Sequence, residues 1–125
     1  MKIFERDEKI NFVDDYNVFV GFDYSPCCCE HYGWTITKEC PTNDIDLTKL
    51  VTDPHLDFSL YRFDTTFYKI VINELSYDTG VGAIFRLING NIEELFLTLW
   101  NYHNGYYTHG FEMCEGETKL FVGHI

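Results

Sequence analysis

Hydrophobic and polar positions alternate with a period of two along much of the chain, the pattern of strands that bury one face. Val18, Val20 and Phe22 alternate with Phe19, Gly21 and Asp23, and Pro26 closes the segment. Residues 34–37 are a second candidate strand, closed by Cys40-Pro41. From Phe58 onward such segments follow closely. Residues 67–72 are β-branched and aromatic, and 83–88 lead into Asn89-Gly90, a strong hairpin signal. Residues 94–100 place Leu95, Leu97 and Leu99 on one face. Asn104-Gly105 marks a further turn, and 106–113 and 119–122, separated by Gly116, complete the set. One stretch reads differently: 43–50 resembles a short helix with Asn43 or Asp44 as N-cap, stopped by Asp53-Pro54.

These elements predict an α+β fold: a mostly antiparallel β-sheet of about six to eight strands with one or two short helices. Short turns favour a meander with sequential pairing. Without a helix on one face the sheet curls towards a barrel or sandwich. The length of 125 residues suits a single globular domain spanning 1–125, with a real core.

Composition narrows the function classes. Twenty acidic residues against nine Lys and Arg give a net charge of −11, while aromatics reach 18%, too many for a disordered acidic tail. No two basic residues adjoin. Direct nucleic-acid binding and attachment to anionic membranes are therefore disfavoured. The acidity suits a protein partner with a basic or nucleic-acid-binding surface, or serves solubility alone. No apolar run is long enough for a membrane helix, and the charged start lacks a signal-type segment. Five cysteines, three of them contiguous, do not form a secreted disulfide pattern, so a cytoplasmic protein with reduced thiols is expected. Phosphate-binding, serine-hydrolase, zinc-protease and calcium-loop motifs are missing. Glu93 and Glu94 are adjacent and so face opposite sides of a strand, unlike a glycosidase pair.

The run Cys27-Cys28-Cys29-Glu30-His31 admits three readings. In an extended chain Cys27, Cys29 and His31 share a face, and Cys40, His103 or Cys114 could complete a zinc site. Against this, i, i+2 spacing sets the thiols roughly 6 to 7 Å apart, so the chain would have to turn. A nucleophilic thiolate would need a base or cation nearby, whereas Glu30 and the net charge raise thiol pKa values. The simplest reading is that these cysteines pack as small buried hydrophobes beneath Tyr32 and Trp34.

The second concentration is Trp100, Tyr102, His103, Asn104, Tyr106 and Tyr107 around an Asn-Gly turn. Rigid amphipathic rings of this kind dominate binding hot spots. Cross-strand aromatic pairs also stabilise hairpins with no partner involved. His103 and His109 are candidate pH-sensitive groups, although a lone sheet histidine is more often structural.

Gly21-Phe22-Asp23 with Cys28-Cys29-Glu30, Thr66-Phe67-Tyr68, Trp100 and Asn104-Gly105-Tyr106-Tyr107 resembles an uncharacterised family of small bacterial and phage proteins. The resemblance covers about residues 18–113, with an extra Cys27, His103 in place of a serine, and no Arg beside Trp100. That family has no established activity; the resemblance implies a phage or mobile-element setting, where small acidic proteins often inhibit host systems. The expected function is a non-enzymatic binding protein of that type, contacting its partner through Trp100, Tyr102, His103, Asn104, Tyr106 and Tyr107. The alternatives are a zinc-stabilised module using Cys27, Cys29, His31 and Cys114, and a cysteine-dependent enzyme.

Overall fold

The computed structural model describes residues 1–25, 31–74, 79–90, 93–103 and 108–125, with His103 described through its backbone. The strands are β1 (Lys2–Arg6), β2 (Lys9–Val13), β3 (Val18–Asp23), β4 (His31–Thr37), β5 (Arg62–Phe63), β6 (Lys69–Glu74), β7 (Thr79–Asn89), β8 (Glu93–His103), β9 (Gly110–Glu115) and β10 (Thr118–His124). They form two antiparallel sheets. The first has the order β1-β2-β3-β9-β10, and the second β4-β8-β7-β5, with β6 following β5 along the same edge of β7. Neither sheet closes into a barrel.

The two sheets face each other across the main core. Ile10, Phe12, Val20, Phe22, Phe111 and Met113 come from the first, and Ile36, Phe85, Leu87, Leu95, Leu97 and Leu99 from the second. The expected alternation in 94–100 is therefore present. The reverse face of β8 is buried as well: Phe96, Trp100 and Tyr102 pack with Val71, Ile84 and Leu47, bordered by Cys40, Leu50 and Phe67. The segment that follows β4 thus lies over the outer face of the second sheet.

Two expectations need correction, and one hairpin went unpredicted. The short helix over 43–50 is one 3-10 turn, Leu47–Lys49, and its cap is Asp46, whose carboxylate accepts from the Thr48 amide. Asn43 is committed elsewhere, its side chain accepting from the Ile72 amide at 3.0 Å and its carbonyl from Asn73 Nδ2. Leu47 is pinned in the second cluster, so the segment serves as a plug and cover. No α-helix is present among the described residues, so the mostly antiparallel sheet of the expectation stands while its one or two short helices reduce to this 3-10 turn. Pairing is also less sequential than expected: β3 pairs with β9 and β4 with β8. An interior strand needs two neighbours, and closing a long loop costs little more than closing a short one. Finally, the β1–β2 hairpin turns through Asp7 and Glu8, both at positive φ, without an Asn-Gly signature.

Buried Asp14 ties the sheets together. Its Oδ1 accepts from the Tyr16 and Val18 amides at 2.8 and 3.0 Å, and its Oδ2 accepts from the Phe63 amide at 2.9 Å. One carboxylate shapes the β2–β3 turn and holds β5 against it.

Candidate functional site

The sequence nominates two clusters, and the structure redistributes the members it describes. Trp100 and Tyr102, expected at a contact surface, are 7% and 3% exposed. Each ring lies over a glycine of a neighbouring strand. A Cβ on Gly33 would sit 2.7 Å from the Trp100 ring, and one on Gly80 would sit 2.2 Å from the Tyr102 ring. Tyr102 Oη accepts from the Leu47 amide at 2.9 Å and lies within bonding distance of Asp46 Oδ1 and Asn73 Oδ1. Burial, with Asp46 nearby, pushes its phenol above the ordinary value. These two residues hold the cover in place and offer a partner almost no surface. Asn104, Tyr106 and Tyr107 lie outside the described residues, as does the His103 side chain.

Of the metal candidates, Cys27 and Cys29 lie outside the described residues. His31 is exposed on the outer face of the second sheet, its ring edge-on to Trp100 at 5.0 Å between centroids. Cys114 is buried on the outer face of the first sheet, opposite Phe19 and Lys119 in register. The double-sheet core separates His31 from Cys114, so the two cannot share one zinc, whose ligands must all lie within about 2.3 Å of the ion. Among the described residues no group of three or more His, Cys, Asp or Glu side chains could hold a metal. Burial pushes the thiols of both Cys40 and Cys114 up, the opposite of what a nucleophile requires. His109 is buried, stacked on Tyr32 at 4.3 Å, with Nδ1 2.6 Å from the Asp23 carbonyl. That oxygen only accepts, so Nδ1 carries the proton and the residue is a structural tie.

The aspartates also have local work. Asp14, Asp23, Asp46, Asp53, Asp57 and Asp64 each accept from the backbone amide two residues ahead, the Asx-turn geometry. In four of them, Asp23, Asp46, Asp57 and Asp64, the Ser or Thr hydroxyl at that position also donates to the carboxylate. Much of the acidity therefore shapes turns.

What sequence reasoning missed is the outer face of the first sheet. Strand parity and register arrange its side chains in three rows across β1, β2, β3, β9 and β10. One row runs Arg6, Lys9, Asp23, Gly110, His124; the next runs Phe4, Asn11, Gly21, Glu112, Val122; the third runs Lys2, Val13, Phe19, Cys114, Lys119. The strand positions of this face hold four of the nine Lys and Arg and two of the twenty acids, and Asp7 of the β1–β2 turn lies 3.9 Å from Arg6 and lines the same surface. Glu112 is bridged by Lys119 at 3.4 Å, and Asp23 is held below its usual range because Ser25, His109 and Lys9 outweigh its burial. Phe4 and Val122 are 44% and 60% exposed. Two adjoining shallow grooves of 370 and 340 Å³ meet at Lys9, one against Phe4, Val13 and Phe19, the other over Gly21 and Gly110. The signal was present in the alternation Lys2-Phe4-Arg6 and Lys9-Asn11-Val13, read as scattered charge because neighbours in a sheet are distant in sequence.

No family model, no curated protein and no solved structure matches this chain. No helix of the described residues is long and apolar enough to cross a membrane.

Proposed function

We propose that the chain is a non-enzymatic binding protein whose contact surface is the outer face of the first sheet. The observation that carries this reading is the uneven distribution of charge: in a strongly acidic molecule, the strand positions of this sheet face carry four cations and two acids. The second sheet's outer face is occupied by the chain's own cover, whereas no described segment packs over the first. Complementary charge across an interface steers encounter and selects partners. The net charge alone suggests a basic partner; the sign of this face favours an acidic one. An accessory or inhibitory role in a phage or mobile-element setting is compatible with a small protein of this design.

The test is comparative capture with cognate cell extract. Arg6→Glu with Lys9→Glu should strip bound protein from the immobilised chain, while Lys38→Glu with Lys49→Glu, outside this face, should leave it bound. Loss in both variants, or in neither, would remove the face from the reading.

A further inference from the structure

We infer that the free edge of β10 takes up an extended segment of a partner protein as an added strand, whose apolar side chains lie over Ile70 and Ile72. The inference goes beyond the binding-face reading: it concerns the edge bordering that face, and stands or falls separately.

A strand at the end of a sheet leaves every second N–H and C=O without a ladder partner. The second sheet caps such amides with side chains of its own chain. On β4 the Ile36 amide donates to Thr52 Oγ1 at 3.0 Å, and on β6 the Ile72 amide donates to Asn43 Oδ1 at 3.0 Å. On β5 the Phe63 amide donates to Asp14 Oδ2 at 2.9 Å. The first sheet ends in β1 and β10. Lys2, Glu5 and Arg6 guard β1, since charge discourages a further strand. β10 has no Lys, Arg, Asp or Glu after Lys119.

The ladder fixes which groups of β10 face outward. His109 and Ile125 exchange both backbone bonds, at 2.7 and 2.9 Å. They continue the register that pairs His124 with Gly110, Gly123 with Phe111 and Val122 with Glu112. Hydrogen-bonded and non-hydrogen-bonded pairs alternate, so Phe121 and Gly123 bond to β9. Val122 and His124 therefore point their N–H and C=O away from the sheet, and among the described residues none of these four groups has a partner.

Beneath this edge lies an apolar shelf. Ile70 and Ile72 share the core-facing side of β6, opposite Ala83 and Val81 of β7, yet are 40% and 50% exposed. Tyr68 stacks on Phe121 with centroids 4.8 Å apart. Asn101, level with Ile72 through Val81, donates from Nδ2 to the Ile125 carbonyl at 3.2 Å. So β10 runs along β6 with Gly123 level with Ile70, and the first sheet stops there. A strand added to β10 carries its inward side chains over the two isoleucines. The edge groups select an extended backbone, and the shelf selects apolar residues at alternate positions. A second copy fits less well. Its β10, paired through Val122 and His124, would set Gly123 inward with no side chain to cover Ile70, and would join two chains of net charge −11.

The test titrates a capped peptide, Ser-Val-Thr-Val-Thr-Val-Ser, into full-length protein labelled with 15N and at isoleucine methyls. One control replaces the valines with threonine, and another N-methylates every backbone amide. The valine peptide should shift the Val122 and His124 amides and the Ile70 and Ile72 methyls, binding at least about tenfold more tightly than either control. Val122→Pro removes an outward amide but no bond to β9, so it should abolish the response and keep the fold. Ile70→Thr with Ile72→Thr should lower the valine peptide's affinity to that of the threonine peptide. No response, equal binding of a control, shifts elsewhere, or full binding by either variant overturns the inference. If Val122→Pro unfolds, the isoleucine variant decides alone. Shifts at Val122 and His124 on simple concentration of the protein would make a second copy the occupant and overturn it too. Arg6→Glu with Lys9→Glu should leave the peptide response intact. If the peptide fails while that variant still strips captured protein, the edge is wrong and the face reading stands.

Discussion

The ring of Tyr102 fills the space that a side chain on Gly80 would need, its Cε1 lying 2.2 Å from where the Cβ would be. The two residues are register partners on β8 and β7. The contact lets the Tyr102 hydroxyl reach the Leu47 amide and hold the 3-10 turn on the second sheet. Gly80→Ala should therefore displace the ring and its hydrogen bond together, at a cost of about 2–3 kcal/mol. Tyr102→Phe keeps the packing but strands the buried Leu47 amide, costing about 1–2 kcal/mol. Urea midpoints measure both. A Gly80→Ala variant as stable as wild type would show that the ring is not wedged there.

Asp14 joins the sheets through three amide donors, from Tyr16, Val18 and Phe63. Asp14→Ala leaves all three unpaired in a buried setting and should cost about 3 kcal/mol or more. Asp14→Asn keeps one acceptor oxygen but turns an NH2 group towards the remaining donor or donors, so its loss should fall between alanine and wild type. Hydrogen exchange at the Phe63 amide gives a local reading, since that proton should lose protection in the alanine variant. Unchanged exchange at Phe63 would mean that β5 is held by other contacts.

Legibility in the sequence followed the range of the forces involved. Period-two alternation located β3, β8 and most of β7, because the inward side chains report their own burial. It did not reveal that Phe96, Trp100 and Tyr102 are buried on the opposite face, since their cover is an irregular segment with no periodicity of its own. That is why two rings that looked like binding anchors prove to be core. The β1–β2 turn escaped notice because Asp7 and Glu8 adopt positive φ without glycine. The cationic face was illegible for a different reason: Lys9 and Val122 belong to one surface only because β3 pairs with β9, a contact that spans most of the chain. The repeated Asp-x-Ser/Thr spacing, by contrast, was in plain view and signalled Asx turns.

Cys40 and Cys114 should be slow to alkylate. Burial raises both thiols, reinforced by Glu94 for Cys40 and by Glu112 for Cys114, against the opposing pull of nearby lysines. At pH 7 each should label at least about tenfold more slowly than in urea, and faster as the pH rises past 9. Peptide-resolved iodoacetamide labelling separates them from the cysteines at 27–29. Labelling of Cys114 at the unfolded rate would show that its surroundings are open.

The acid limb of stability should trace to the aspartate turns. In Asp64, burial raises the carboxyl pKa, but the Thr66 hydroxyl and amide and the Arg86 guanidinium outweigh it and hold the group below its ordinary value. Asp23 is lowered likewise; Asp46 and Asp57 are lowered first by the hydroxyls of Thr48 and Ser59. A carboxyl whose folded pKa is depressed contributes fully above its unfolded value, about 3.9 for Asp, and loses that contribution as the pH falls through the folded value. Urea midpoints should therefore be level with respect to these groups from pH 7 to about 5, then fall below about 4. Asp64→Asn removes the ion pair with Arg86, whose Nε donates at 2.9 Å, and should cost about 1 kcal/mol at pH 7. Its acid limb should be shallower, so that variant and wild type converge as the pH falls through the depressed folded-state value of the Asp64 carboxyl and the wild-type group is protonated as well. If the offset between the two curves is the same at pH 3 as at pH 7, the Asp64 carboxylate adds nothing through its charge, and Arg86 is held by its position over the Phe67 ring, 5.0 Å from the centroid.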